Sequence, residues 1–166
     1  MATFNDIKDI FQRLDWSILQ NGWISLYWKK SILEKDIKWF EKENYNIVDF
    51  DCKSWTDRAE MHGQLKQKLN FPDYYGMNFD ALNDCLSDIE INGAGQIVVF
   101  NHLDSIDIKT IHALLDVFAD NSRKHILFGD RLIVLAQVDK PDFRIEPVGA
   151  TSVIWNKQEF LDSKRQ

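Results

Sequence analysis

The segment FPDYYGMNFDALNDCLSDIE, residues 71–90, reads as a loop followed by a helix, and the two sides of that helix carry different chemistry. Pro72 pushes Phe71 towards extended geometry, and Gly76 can take backbone angles closed to other residues, so both mark a loop. Asn78 is a good N-cap, and Asp80 falls in the first turn, where the helix dipole favours a negative charge. The helix is expected to run to Ser87 or Asp88. At about 100° per residue, Phe79, Leu82, Leu86 and Ile89 share one side, while Asp80, Asn83, Asp84 and Ser87 form a separate i, i+3, i+4, i+7 stripe. One side suits a core; the other suits water or a partner.

Charge sharpens the contrast. Between Lys68 and Lys109 there is no Lys or Arg, yet Asp73, Asp80, Asp84, Asp88, Glu90, Asp104 and Asp107 lie there. Those seven negative charges outnumber the net −6 of the 166-residue chain, so the remainder sums to about +1. Asp80 and Asp84, four apart on a helix, place like charges roughly 5–6 Å apart at Cβ, which costs a few tenths of a kcal/mol. A solvated face that keeps the protein soluble is the plain alternative, and Asp80 has a capping role of its own. The neighbouring Tyr74, Tyr75, Gly76 and Asn78 favour an interface, because aromatics beside charges on a rigid loop are common anchors. Of the two tyrosines, one is expected to point inward and one outward.

Outward from this segment, strands alternate with helices. Phe4, Ile7, Ile10, Phe11 and Leu14 have helical spacing, WISLYW (23–28) reads as a strand, and Ser31 with Glu34 forms a capping box for a helix to Lys42. YNIVDF (45–50) is the next strand, so 23–50 reads as a β–α–β unit with a crossover long enough for parallel strands. Ser54 or Thr56 can cap a helix to Leu69. QIVVFN (96–101) and LIVLAQV (132–138) are apolar enough for strands covered on both faces, and 106–121 has an apolar stripe opposite Asp116 and Asp120. Beyond Pro141, FRIE and TSVIW suit a terminal hairpin or edge addition, and QEFLDS a last helical turn. The alternation predicts an α/β layer structure with a mostly parallel sheet.

Composition excludes several classes. A sequence pI near 5.2 would repel nucleic acid, so direct RNA or DNA binding is not expected despite six Trp. No signal peptide is evident at MATFNDIKDIF, and the longest apolar runs are strand-sized, so no membrane span is expected. With only Cys52 and Cys85, the chain reads as a reduced, cytoplasmic protein. His62, His102, His112 and His125 lack short ligand spacing, and there is neither a phosphate-binding loop nor a nucleophile motif. Neither metal nor cofactor is expected. Paired acids can serve general acid/base catalysis, but Asp80 and Asp84 lack a supporting His, metal or nucleophile in the sequence, so the chain does not read as an enzyme.

Pro72, Tyr74, Tyr75, Gly76, Asn78, Asp80, Ala81, Leu82, Asp84, Cys85 and Leu86 form the pattern PxYYGxNxDALxDCL, which resembles the barstar family of intracellular ribonuclease inhibitors. The likeness runs more weakly from Tyr45 to Val138. It implies a barstar-like small parallel β-sheet with helices packed against it, extended at both termini. The chain then divides into an N-terminal strand-helix extension (1–44), a barstar-like core (45–138) and a C-terminal extension (139–166).

The resemblance also implies a function: blocking the active site of a basic ribonuclease, as an immunity protein or antitoxin. Carried over, Tyr74, Gly76, Asn78, Asp80 and Asp84 become contacts, with Asp84 the central charge, and Asp120 aligns with a contacting Glu on a later helix. Asn83 and Ser87 complete the partner-facing stripe. Asn83 stands where barstar itself carries a Trp, which removes a large contact surface and points away from barnase as the partner. Lys124 replaces an acid that the family can carry, making the acidic patch smaller at that end. The alternative is an interaction module that keeps the fold and binds a basic protein other than a nuclease.

Overall fold

The structure, a computed structural model, describes residues 12–159. In chain order its elements are α1 (Leu14–Leu19), β1 (Ile24–Tyr27), α2 (Lys30–Lys42), β2 (Tyr45–Asp51), α3 (Arg58–Lys68), α4 (Phe79–Asp88), β3 (Gly95–Asn101), α5 (Ile108–Leu127), β4 (Leu132–Gln137) and β5 (Ile154–Trp155). Every strand pair is parallel, in the spatial order β2-β3-β4-β1-β5. The fold is therefore α/β, and β2-β3-β4 form the small parallel sheet that the resemblance implies, enlarged by β1 and β5 on the free side of β4.

Side chains alternate across the sheet with period two, and each face has its own core. Val98, Phe100, Val134 and Ala136 point to the face covered by α3, α4 and α5, where Leu65, Leu82, Leu86, Leu114 and Phe118 meet them. Ile97, Val99, Ile133 and Leu135 point to the opposite face, covered by Ile18 of α1 and by Leu33 and Phe40 of α2. All six residues of β4 are buried. Right-handed crossovers dictate this division: the chain crosses from β2 to β4 with its helices on one face and from β1 to β2 with α2 on the other.

Several local expectations change. β1 and β2 are parallel, as 23–50 suggested, but β4 and β3 lie between them. The capping box does not form: α2 starts at Lys30, its N-cap Lys29 makes no side-chain cap, and the N–H groups of Trp28 and Lys29 donate to Glu159 Oε1 at 3.0 and 2.9 Å. α3 is capped by Asp57, which accepts from the Glu60 N–H at 2.8 Å, while Ser54 Oγ turns back to the Asp51 carbonyl. α5 continues six residues beyond 121, to Leu127. FRIE is not a strand; Ile154–Trp155 alone adds to the β1 edge. The suggested helix over 4–14 lies largely outside the described residues, as does the end of QEFLDS, whose Gln158 and Glu159 belong to a 3-10 turn, Lys157–Glu159.

Buried polar groups fasten the added strands and helices. Asp15, fully buried on α1, accepts from Tyr45 Oη at 2.6 Å and from Arg131 Nη1 at 3.1 Å. Burial alone would raise the Asp15 carboxyl, but hydrogen bonds from Arg13 and Tyr45 bring it below the usual carboxylate range. Near β1, Tyr27 Oη donates to Asp36 at 2.6 Å and Asn156 Nδ2 donates to the same carboxylate at 2.9 Å. At the outer edge of β2, Lys68 Nζ donates to the Asp49 carbonyl at 2.5 Å.

Asp15→Ala removes the carboxylate from a buried ion pair and is expected to cost about 3–5 kcal/mol in a urea unfolding experiment. A fragment of residues 45–138 would bare Ile97, Val99, Ile133 and Leu135 on one face and open the edge of β4. It is expected to show a poorly dispersed NMR spectrum and to elute as aggregates, whereas a native-like spectrum would show that α1, α2 and β1 are dispensable for folding.

Candidate partner-docking face

The loop before α4 is anchored from within. Phe71 and Tyr75 are buried with ring centroids 5.0 Å apart, and His62 Nδ1 lies 2.5 Å from the Tyr75 hydroxyl. Burial, with Arg58 nearby, holds the His62 pKa below the ordinary histidine value. Tyr74 is its neighbour's opposite, 79% exposed. The left-handed residue of the loop is Met77, at φ 57°, and not Gly76. An added Cβ at Gly76 would make ordinary contacts, with the Ala81 Cβ at 3.4 Å and Asn78 Nδ2 at 3.5 Å. Asn78 closes the turn twice, accepting from the Ala81 N–H at 2.8 Å and donating to the Gly76 carbonyl at 3.2 Å. Its side chain positions the first turn of α4.

Along α4 the predicted polar stripe divides in two. Asp80 and Asp84 are exposed and make no hydrogen bond or ion pair with any described residue. Asn83 and Ser87 turn towards α5 and meet Asn121, whose side chain is fully buried. Asn121 Nδ2 donates to Asn83 Oδ1 at 3.0 Å and to the Val117 carbonyl at 2.9 Å, while Ser87 Oγ donates to Asn121 Oδ1 at 2.8 Å. Lys124 Nζ reaches Asn83 Oδ1 at 3.5 Å and Ser87 Oγ at 3.4 Å, and a 2.7 Å bond joins His125 Nε2 to the Leu86 carbonyl. Cys85 is buried on the core side, and burial beside Asp84 and Asp88 pushes its thiol pKa up.

Asp120 lies on α5 beside Asn121, with Arg123 Nη1 3.6 Å from its Oδ1. The loop at Gly149 packs here: its N–H donates to Asp116 Oδ1 at 2.8 Å and its carbonyl accepts from Arg123 Nη2. Gly149 has φ 53°, and a Cβ there would stand 2.8 Å from that of Ala119, so the close approach needs glycine. Asp120 is thus partly compensated, unlike Asp80 and Asp84.

Not every acid between Lys68 and Lys109 is available to a partner. Asp104 accepts from the backbone N–H groups of Asp139 and Lys140 at 2.9 and 3.0 Å, and Asp107 caps α5 through Thr110. Asp73 lies 3.9 Å from Lys66. Asp80, Asp84, Asp88 and Glu90 make no such contact with described residues, so free negative charge gathers on and just after α4. No group of three or more His, Cys, Asp and Glu among the described residues is disposed to hold a metal ion.

The apolar stripe over 106–121 does not single out Asn121. Buried Asn121, Ser122 and His125 in fact continue the inward face, and their polar side chains at core spacing were the available signal. Asp15, Arg131 and Glu159 had no such signal, since their partners are distant in sequence.

A family model described as Barstar (barnase inhibitor) matches residues 45–140, more than half of the chain. A Bacillus subtilis (strain 168) protein named "Putative ribonuclease inhibitor YrdF" is 67% identical over 40 residues, 24% of this chain. The chain spans 44% of the length of that curated relative. With the parallel sheet and the anchored loop and helix 71–88, the family match carries one conclusion: the chain belongs to the barstar family.

Proposed function

We propose that this protein inhibits a basic ribonuclease by seating α4 and its preceding loop in the nuclease active site. The observation that carries the reading is the pair of exposed carboxylates, Asp80 and Asp84, without a partner among the described residues, on a helix fixed at both ends. Their mutual repulsion would be relieved by cationic groups that otherwise hold RNA phosphate. Tyr74 supplies an exposed ring beside them, and Gly76 and Asn78 hold the turn. Asn83 and Ser87 set the tilt of α4 against α5, and Asp120 adds a weaker, Arg123-compensated charge. Inhibition on this reading is steric and electrostatic, without turnover.

Concentrated negative charge also speeds encounter with a basic protein, to about 10⁸–10⁹ M⁻¹s⁻¹ at low salt, and the gain falls as salt is added. An immunity or antitoxin role in the cytoplasm accompanies the proposal, since a cell making a toxic ribonuclease needs the antidote beside its own RNA. A non-nuclease basic partner is the second reading, favoured by Asn83 being occupied by Asn121. Ribonuclease activity in whatever protein the chain retains separates the two.

Asp84→Ala is expected to weaken binding to the target ribonuclease by about 2–5 kcal/mol in titration calorimetry, the range for truncating one partner of a buried charge pair. Glu34→Ala, on the α2 face of the molecule, should change it little; equal, small losses for both would count against this interface.

Acid should loosen the loop. Because the folded state lowers the His62 pKa, it favours the neutral ring; the resulting stability is complete above the unfolded value of about 6.5 and is lost as pH falls through the folded value. Wild-type stability is expected to fall below about pH 6.5 with a component that His62→Gln abolishes, followed by thermal melts across pH.

A further inference from the structure

Large exposed apolar side chains among the described residues are six: Tyr74, Met77, Ile108, Leu127, Phe128 and Ile154. Four of them bracket α4. Tyr74 and Met77 precede its first turn, and Leu127 and Phe128, 79% and 75% exposed, follow the point where α5 passes its last turn. α4 and α5 lie side by side in the same direction, joined by Asn83 and Ser87 to Asn121 and by Leu86 to His125, so the end of α5 lies beside the end of α4.

The corner is built to hold its shape. Phe128 is the C-cap of α5 and donates its N–H to the His125 carbonyl at 2.9 Å. Gly129 follows in the left-handed region at φ 83°, and the N–H of Asp130 returns to the same carbonyl at 3.1 Å. Asp120, Lys124 and Leu127 fall at i, i+4, i+7, so the outer surface of α5 passes from acidic through basic to apolar as it leaves α4. Isolated exposed apolar residues are ordinary, but two adjacent ones on a rigid cap, continuous with a charged docking face, have the form of an interface anchor.

We infer that Leu127 and Phe128 form a second anchor for the ribonuclease, entering an apolar recess beside its basic cleft and excluding water from the carboxylate contacts of α4. The inference rests on the reading of α4 as the inhibitory face. A recess of this kind is also what would distinguish the proper ribonuclease from other basic ones, since charge alone discriminates poorly.

The test compares Leu127→Ser/Phe128→Ser and Asp84→Ala with wild type for binding to a panel of basic microbial ribonucleases that includes barnase, by surface kinetics at several salt concentrations. Both corner side chains are exposed, so the melting temperature of the double variant should match wild type; Phe128→Leu, which keeps an apolar group, should bind within a few-fold. For the nuclease that wild type binds, the double variant is expected to dissociate about 10- to 100-fold faster with an unchanged salt dependence of association, as apolar anchors act on residence time. Asp84→Ala should instead alter the salt dependence. A double variant that dissociates like wild type while Asp84→Ala loses affinity overturns the second anchor and leaves the inhibitory face standing. Indifference to all three substitutions, or no nuclease bound by wild type, overturns both.

Discussion

A parallel strand that is apolar on both faces must be covered twice, and β3 and β4 are such strands. Much of the architecture answers that requirement. α3, α4 and α5 cover one face, but they leave Ile97, Val99, Ile133 and Leu135 to be buried by something else, and α1 and α2 do so. α1 and α2 consequently enclose one face of the core, although the family match begins only at residue 45. Asp15 and Asp36 then fasten this second layer through buried hydrogen bonds to Tyr45, Arg131, Tyr27 and Asn156.

With stability spread over two layers, the surface of one is free to be unfavourable in isolation. α4 carries like charges at i, i+4 without a partner among the described residues, a local cost that packing of Leu82 and Leu86 easily outweighs. What keeps those charges aimed outward is the seam with α5. Fully buried Asn121 has both ends of its amide engaged, so α4 cannot roll on α5 without leaving a polar group unsatisfied, which costs about 1–3 kcal/mol. Rigidity of this kind would favour the docking proposed for α4, because little freedom would remain to be lost.

Features that depend on neighbours in sequence were legible from the chain alone. The Asn78 cap, the extent of α4, the two buried strands and the concentration of acids all follow from spacing and residue type. Features that depend on distant partners were not. Nothing around Ser31 reveals that Glu159 accepts the N–H groups preceding α2. Local sequence likewise does not show that Asn83 and Ser87 face a buried asparagine, or that Asp104 and Asp107 are committed to backbone N–H groups while Asp80 and Asp84 are not. Gly76 illustrates a subtler failure: glycine implied a left-handed backbone, but the left-handed residue of the loop is Met77.

Both margins of the sheet also bear on how the protein behaves in quantity. β5 is only two residues long, so any strand seeking to extend the sheet there finds almost no ladder to join. Along β2, outward Asn46, Asp49 and Asp51 and the lysine bonded to the Asp49 carbonyl oppose the same addition. Neither margin of this apolar sheet therefore offers a second copy an open strand to pair with along its length.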